Sequence, residues 1–202
     1  MVTVNQIPGS DRLYSVVDLI TPEQLADIHS IDWLQLPTMP NTGQENLVQR
    51  CRIDRLHPDI VRINQYIHDA FVGINCALGT NFNQPVESAW WIDHAGFDIS
   101  IHTDDPVRVT NALQLYWVMP GDNYGTTFYR DLLPADYPDQ KNRRESAQVE
   151  VLHQFISRPN SGYLMLNHAD NLGQKPSLWH GMLNPVPAGS FRVSSYNTVN
   201  PL

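Results

Sequence analysis

Residues 97–104 read FDISIHTD, and this stretch indicates both the kind of fold and the place of a site. Apolar side chains occupy every second position from Phe97 to Ile101, as in a strand with one buried face. His102 and Asp104 then end the strand as a His-x-Asp pair, and residues two apart on an extended chain share one face. Both side chains can therefore reach one ion at the end of a β-structure.

Around this stretch the chain reads as a succession of short strands. From about Ser88 onward, runs rich in β-branched and aromatic residues are separated by Gly, Pro, Asn and Asp, which is typical of a β-sandwich or barrel. The polar, Pro-bearing segment 131–149 predicts a surface loop or lid. The predicted strands are Ala89–Asp93, Phe97–His102, Ala112–Val118, Thr126–Tyr129, Gly162–Asn167, Ser177–His180 and Phe191–Val199.

The first part of the chain predicts helices instead. Thr21 as N-cap, followed by proline and glutamate, predicts a helix through Gln24–Ile31. A second helix opens at His57, before another proline, and continues to about Leu78. Its apolar residues recur every three or four positions, as an amphipathic helix requires.

These patterns predict one mainly β domain, because 202 residues suffice for a single sizeable core. We expect residues 1–87 to form a helical support region. Residues 88–202 are then expected to form a jelly-roll-like, cupin-like β core.

Composition excludes several classes of function. The formal net charge is −8 and no long Lys/Arg cluster occurs, so nucleic acid is not an expected partner. Two cysteines, Cys51 and Cys76, form no spaced framework, which favours a reducing compartment. The chain has no leader-like apolar segment and no run of about 18 apolar residues, so we expect a cytoplasmic protein without membrane insertion.

Three His-x-Asp pairs occur, and their contexts distinguish them. The pair that begins at His57 starts a helix, where the helix dipole accounts for the acid. The pair that begins at His168 leads into a turn, and a loop role is the simpler interpretation. The pair that begins at His102 ends a strand of alternating apolar residues, so it is the candidate ligand pair.

A further histidine and an arginine extend the pattern. His180 ends another predicted strand, 78 residues after His102 (180 − 102), and two histidines with one carboxylate are the facial triad of non-haem Fe(II). Arg192 and Ser194 share one face of the next strand. A buried arginine needs an anion, and its planar fork suits a carboxylate. If the histidines are not ligands, Arg192 is simply a structural ion-pair residue.

Together these residues resemble the Fe(II)- and 2-oxoglutarate-dependent oxygenases, which have a double-stranded β-helix fold. Gly96 and the turn at 125–128 are similar to prolyl-hydroxylase-type members. Ile99, where such members often have an aromatic residue, and Tyr124, in place of a second glycine, depart from that pattern. The motif, within 88–199, reads His102-Thr103-Asp104, then His180, then Arg192-Val193-Ser194.

The resemblance implies roles for these residues. His102, Asp104 and His180 would be the metal ligands and catalytic residues of an Fe(II) site. Arg192 and Ser194 would bind the distal carboxylate of 2-oxoglutarate as co-substrate. Dioxygen would be the oxidant, and hydroxylation the most common outcome.

The strand that follows the ligand pair supplies further candidates. Gln114 and Tyr116 share one of its faces, and either can touch the co-substrate. Leu113, Leu115 and Trp117 then point the other way, although a bulge would reverse the assignment.

Two other functions fit the same residues. A cupin-like metalloenzyme would use the three ligands without 2-oxoglutarate and leave Arg192 structural. A non-catalytic binding or sensor module would bury the histidines in a β-sandwich core. Substrates remain open between a small molecule and a peptide or protein side chain. Trp90, Trp91 and Trp179 are candidates for the substrate side, with core packing as the simpler interpretation.

Overall fold

The computed structural model describes residues 2–40, 49–79, 82–103, 111–133, 143–166 and 178–201. Within these ranges the chain forms two α-helices and eleven β-strands. The helices are α1 (Pro22–His29) and α2 (Pro58–Leu78). The strands are β1 (Thr3–Gln6), β2 (Leu13–Val17), β3 (Thr38–Pro40), β4 (Arg50–Ile53), β5 (Phe82–His94), β6 (Asn111–Val118), β7 (Thr126–Asp131), β8 (Val149–Gln154), β9 (Ser161–Leu166), β10 (Trp179–Met182) and β11 (Phe191–Pro201).

Both helices begin at the predicted signals. At the start of α1 the Thr21 hydroxyl accepts the Gln24 N–H while the Gln24 side chain accepts the Thr21 N–H, which is a capping box. Helix α2 begins after His57 and ends at Gly79, which takes the left-handed conformation with φ 63°. Among the described residues, neither helix is long and apolar enough to cross a membrane.

The strands form two antiparallel sheets. The large sheet has the order β1-β2-β9-β6-β11-β5-β4-β3, and the small one β10-β7-β8. The mainly β character with two helices, which the sequence predicts, is confirmed. Strands β1 to β4 and β8 were not predicted: β1 to β4 have only three to five residues each, and β8 begins at the end of the segment that was expected to be a loop or lid. The N-terminal region therefore contributes sheet edges as well as helices.

The segment from Phe97 to His102 differs from the predicted strand. Its carbonyl groups accept N–H groups from the region of β10, at Phe97 from Val186 and at Ile99 from Met182, before the pairing of His102 with His180. The number of residues between successive pairs differs on the two sides, so no regular ladder forms and only an isolated bridge remains at His102.

One face of the large sheet packs against the two helices. The indole rings of Trp33, Trp90 and Trp117 stack in sequence there, with centroids 5.7 and 5.6 Å apart. The apolar stripe of α2 packs onto the same cluster. The buried side chains of that stripe are Ile60, Ile63, Ile67, Phe71 and Ile74. The opposite face of the sheet carries a second apolar cluster, which includes Ala112 and Met165, and also the polar groups of the candidate site.

Candidate active site

His102 and His180, far apart in the sequence, are neighbours in the fold. Each donates its backbone N–H to the carbonyl oxygen of the other, at 2.9 and 2.8 Å, so the two form an antiparallel bridge. Directly opposed residues of such a pair present their side chains on the same face. The two imidazole centroids are accordingly 4.4 Å apart.

The hydrogen bonds of the two rings determine which nitrogen can bind a metal. Nδ1 of His102 lies 2.8 Å from the Ser100 carbonyl oxygen, and Nδ1 of His180 lies 2.8 Å from that of Leu178. A carbonyl oxygen only accepts, so Nδ1 carries the hydrogen in each neutral ring and Nε2 carries the lone pair. Metal-bound imidazoles are oriented in this way. The two side chains therefore fit a divalent transition metal.

The third predicted ligand, Asp104, lies outside the described residues, as do His168 and Asp170. Within the described part of the chain, no group of three His, Cys, Asp or Glu side chains is placed to hold one ion. The ligand role of Asp104 stays a prediction.

A glycine beside His180 lets the two ligand-bearing segments approach. A Cβ atom on Gly181 would lie 3.0 Å from the Ile99 carbonyl oxygen and 3.2 Å from the Ile101 Cα. The predicted Gly96 has φ 83°, a conformation that favours glycine, and its N–H donates to Val186. Both glycines therefore allow the backbone conformation that brings His102 next to His180.

Arg144, near the end of the 131–149 segment, contacts residues next to His102 and His180. Arg144 donates its backbone N–H to Ile101 and its guanidinium to Asp131 Oδ2, at 3.1 Å from Nε and 2.9 Å from Nη2. The guanidinium also lies 4.0 Å above the Trp179 ring, next to His180. Residues 134–142, the middle of the predicted loop or lid, lie outside the described residues.

A pocket of about 200 Å³ opens in front of the two histidines. Of the predicted site residues, His102, His180, Gln114 and Arg192 line it. Its other lining residues are Arg50, Trp91, Ile99, Thr126, Tyr163, Gly181, Met182 and Tyr196.

The predicted faces of β6 agree with the structure. Gln114 lines the pocket, whereas Leu113, Leu115 and Trp117 are buried in the core beside the helices. Tyr116 is also buried, and its hydroxyl donates to Thr126 Oγ1 at 2.9 Å and accepts the Thr126 N–H at 2.8 Å. Burial raises the pKa of the Tyr116 phenol, which keeps it neutral. Since this hydroxyl is already engaged, a co-substrate contact by Tyr116 stays a prediction.

The three tryptophans have different surroundings. Trp90 packs in the core and donates its Nε1–H to Asn64 Oδ1 at 2.8 Å. Trp179 is buried in a smaller cluster with Tyr129. Only Trp91, of the three, lines the pocket.

Arg192 belongs to a row of three charged side chains across the large sheet. The strand register places Asp93 directly opposite Arg192 on one side and Arg50 on the other. Arg192 contacts Asp93 Oδ2 through Nε at 2.8 Å and Nη2 at 2.6 Å. Arg50 donates from Nε to Oδ1 at 2.6 Å and from Nη2 to Oδ2 at 3.0 Å. The anion that buried Arg192 requires is therefore supplied within the protein.

The charges of this row do not cancel. Asp93 is 0% exposed, and although burial acts to raise its pKa, the guanidiniums of Arg50 and Arg192 outweigh that effect and lower it. Asp93 is therefore ionised at neutral pH between two permanent cations. The row carries one net positive charge at the wall of the pocket.

Arg50 and Asp93 are the charged residues of the site that sequence reasoning missed. Asp93 ends a predicted strand, where an acid suggests a turn, and Arg50 lies in a segment with no strand prediction. Their relation to Arg192 depends on the pairing of three strands, and no local pattern reports it.

Ser194 lies on the same face of β11 as the pocket residues Arg192 and Tyr196. It is fully buried, and its hydroxyl has no hydrogen-bond partner among the described residues. Such a group costs about 1–3 kcal/mol, which a ligand oxygen that accepts its hydrogen would offset. Two lone-pair nitrogens, a net positive charge and this hydroxyl fit a metal together with a carboxylate ligand.

No family model and no curated protein matches this sequence, but solved structures match it in fold. HygX from Streptomyces hygroscopicus, with nickel, 2-oxoglutarate and hygromycin B bound, has a TM-score of 0.60 at 10% identity, over 94% of this chain and 82% of that one. The alpha-ketoglutarate-dependent epimerase SnoN from nogalamycin biosynthesis, with Fe3+ and alpha ketoglutarate, has a TM-score of 0.55 at 10% identity, over 95% of this chain and 79% of that one. A Pseudomonas putida prolyl-4-hydroxylase has a TM-score of 0.51 at 14% identity, over 94% of this chain and 92% of that one.

These matches define the class of fold. The chain shares the fold of 2-oxoglutarate- and Fe(II)-dependent oxygenases, as the resemblance of its motifs implied.

Proposed function

We propose that the protein is an Fe(II)- and 2-oxoglutarate-dependent dioxygenase with a double-stranded β-helix core. The observation that carries this proposal is the bridged pair of His102 and His180, which line one pocket together with Arg192. We propose hydroxylation of a small molecule or of a peptide or protein side chain as the reaction. The two free cysteines favour the cytoplasm as its location.

Each residue then has a defined task. His102 and His180 hold the metal through Nε2, and Asp104 supplies the third ligand. When bound, the metal and the co-substrate supply the oxidising chemistry with dioxygen. Arg192 binds the distal carboxylate of 2-oxoglutarate with its remaining N–H donors, and Ser194 donates its hydroxyl hydrogen to the same group.

The rest of the pocket orients the reactants and excludes water. Gln114 offers an amide to the co-substrate side, and Tyr116 supports that wall from behind through Thr126. Ile99 and Met182 present apolar surface beside the histidines, which limits the access of water to the reacting groups.

One observation favours a second candidate, a metalloenzyme that does not use 2-oxoglutarate. Arg192 already has a carboxylate partner in Asp93, so its burial does not by itself demand a ligand. In that function the histidines keep their task and the arginine is structural.

Visible absorption under anaerobic conditions separates these functions. Fe(II) and then 2-oxoglutarate are added to the metal-free protein, and we expect a weak charge-transfer band that requires both additions. The band should be lost in His180→Ala and in Arg192→Ala. His68→Ala, which removes a histidine from the outer side of α2, is the matched control and should keep it.

Other outcomes of this experiment support the alternatives. Iron binding without a band that depends on 2-oxoglutarate would favour the second candidate. Failure to bind iron at all would support a non-catalytic module and end the metal-site proposal.

A further inference from the structure

The pocket contains one arginine more than the motif for the co-substrate accounts for. Arg50 and Arg192 both line it, and Asp93 alone lies between them. If Asp93 paired with Arg192 only, the pair would be neutral, and an incoming carboxylate would have to compete with Asp93. With Arg50 present, the Asp93 carboxylate is divided between two cations.

We propose that Arg50 is a second recognition residue for the distal carboxylate of the co-substrate, and that Asp93 divides its charge so that one positive charge is left for that carboxylate. This inference rests on the proposed function, because the anion in question is 2-oxoglutarate. It assigns a task to Arg50, a residue outside the sequence motif.

The packing of Arg50 supports a binding task. Its guanidinium carbon lies 4.3 Å from the Phe97 ring centroid and 5.0 Å from that of Trp91, so the group is held in place by aromatic surface. Its hydrogen bonds to the described residues use Nε and Nη2, both toward Asp93. Nη1 is the part of the fork that these bonds leave for a ligand. A preorganised cation loses little entropy when an anion binds.

Arg192 alone cannot supply all the hydrogen bonds and charge for the distal carboxylate. Nε and Nη2 contact Asp93, and Nη1 donates to the Tyr124 carbonyl oxygen at 2.8 Å. Only part of its donor set is left, and its charge is partly balanced by Asp93. A buried cation without an anion is unfavourable, so the surplus charge of the row favours the state in which a carboxylate is bound.

Isothermal titration of the Ni(II)-loaded protein with 2-oxoglutarate tests this inference by binding rather than by turnover. Arg50→Met makes the row neutral, and we expect the Kd to rise about 10-fold or more. The double variant Arg50→Met/Asp93→Asn restores one net positive charge on Arg192 but still lacks the Arg50 fork, so its Kd should be lower than that of Arg50→Met without reaching the wild-type value. Arg50→Lys keeps the charge without the fork and should lie between these limits.

Two controls isolate the carboxylate. The ligand 2-oxobutyrate has the 2-keto acid group but no distal carboxylate, so its Kd should be unchanged in Arg50→Met. Arg130→Met removes an exposed cation that pairs with Glu150, and it should leave the Kd of 2-oxoglutarate unchanged. Nickel stoichiometry, circular dichroism and Tm establish that each variant is folded and loaded.

The outcomes are distinguishable. Wild-type affinity in Arg50→Met, or equal weakening of 2-oxobutyrate, would overturn the task of Arg50 while the proposed function stands. A double variant as weak as Arg50→Met would overturn the charge argument; if that variant does not fold, an Arg50→Lys variant as weak as Arg50→Met does so. A wild-type protein that holds nickel but does not bind 2-oxoglutarate would overturn the proposed function itself.

Discussion

The two faces of the large sheet use the same strands for different purposes. Toward α2, β5 and β6 present Trp90 and Trp117, which stack in a continuous apolar core. Toward the pocket, the neighbouring residues of these strands present Asp93 and Gln114. Because side chains alternate along a strand, stability and binding are assigned to adjacent positions in the sequence.

The two faces contribute differently to the free energy of folding. Burial of apolar area stabilises the helix-covered face, at about 25 cal/mol per Å². The pocket face contains buried charges and the Ser194 hydroxyl, which has no partner in the described part of the chain, and these groups favour folding little or oppose it. Substitutions on the first face should therefore change the free energy of unfolding, and those on the second should change ligand affinity as well.

Trp117→Ala should have the largest effect. The substitution leaves a cavity beside Trp90 and removes the hydrogen bond from Nε1 to Ser195 Oγ, so we expect a loss of about 3–5 kcal/mol in the free energy of unfolding. Urea denaturation followed by circular dichroism measures it. Leu56→Ala, at a side chain that is 75% exposed, is the control and should change stability little. A loss below about 1 kcal/mol for Trp117→Ala would break the contrast between the faces.

Asp93→Asn should have the next largest effect on stability. It leaves the buried guanidinium of Arg192 and the partly buried one of Arg50 without their anion, and we expect a loss of about 3 kcal/mol at neutral pH. Because the folded pKa of Asp93 is lowered from 3.8, its contribution is complete above that value and is lost as the pH falls through the folded pKa. The stability difference between wild type and variant should therefore shrink only below about pH 4.

Denaturant titrations across pH 2–7 measure that difference. Glu150→Gln is the matched control, because its exposed pair with Arg130 should contribute less than about 1 kcal/mol at any pH. A stability difference that is constant down to pH 2 would show that ionisation of Asp93 contributes nothing to stability.

The adjacent serines of β11 provide the finest test. Ser195 accepts hydrogen bonds from Trp117 Nε1 at 3.0 Å and Asn197 Nδ2 at 3.2 Å, so Ser195→Ala should cost about 1–3 kcal/mol of stability. Ser194 has no partner among the described residues, so Ser194→Ala should leave stability unchanged or raise it by up to about 1–3 kcal/mol. Only Ser194→Ala should weaken the binding of 2-oxoglutarate, with a Kd about 10-fold higher.

Thermal denaturation and titration of both variants measure these two effects. Each serine variant serves as the control of the other, since the chemical change is identical. Loss of stability in Ser194→Ala without loss of affinity would place that hydroxyl in the protein's own packing.

Features with a local cause could be predicted from the sequence. The capping signals gave the start of each helix, and the alternation along β6 gave the faces of Leu113 and Gln114. Gly96 stood out as a glycine in the motif, and its positive φ supplies the reason.

Features that depend on strand pairing could not be predicted. Strands β1 to β4 are short, and their place is determined by neighbours far along the chain. The contact of Asp93 with Arg50 and Arg192 follows from register, which one sequence does not reveal. The segment before His102 has the alternation of a strand, but unequal spacing opposite β10 breaks its ladder.

The bridge between His102 and His180 would also determine when, during biosynthesis, both proposed ligands become available to a metal. The two residues are separated by a stretch that a ribosome takes roughly 4–16 s to translate. Until His180 has been made, His102 lacks its backbone partner, and the closing of so long a loop depends on strands that flank it. A metal that needs both histidines would therefore be captured only after His180 has been made, and it would not guide the folding of the segment between them.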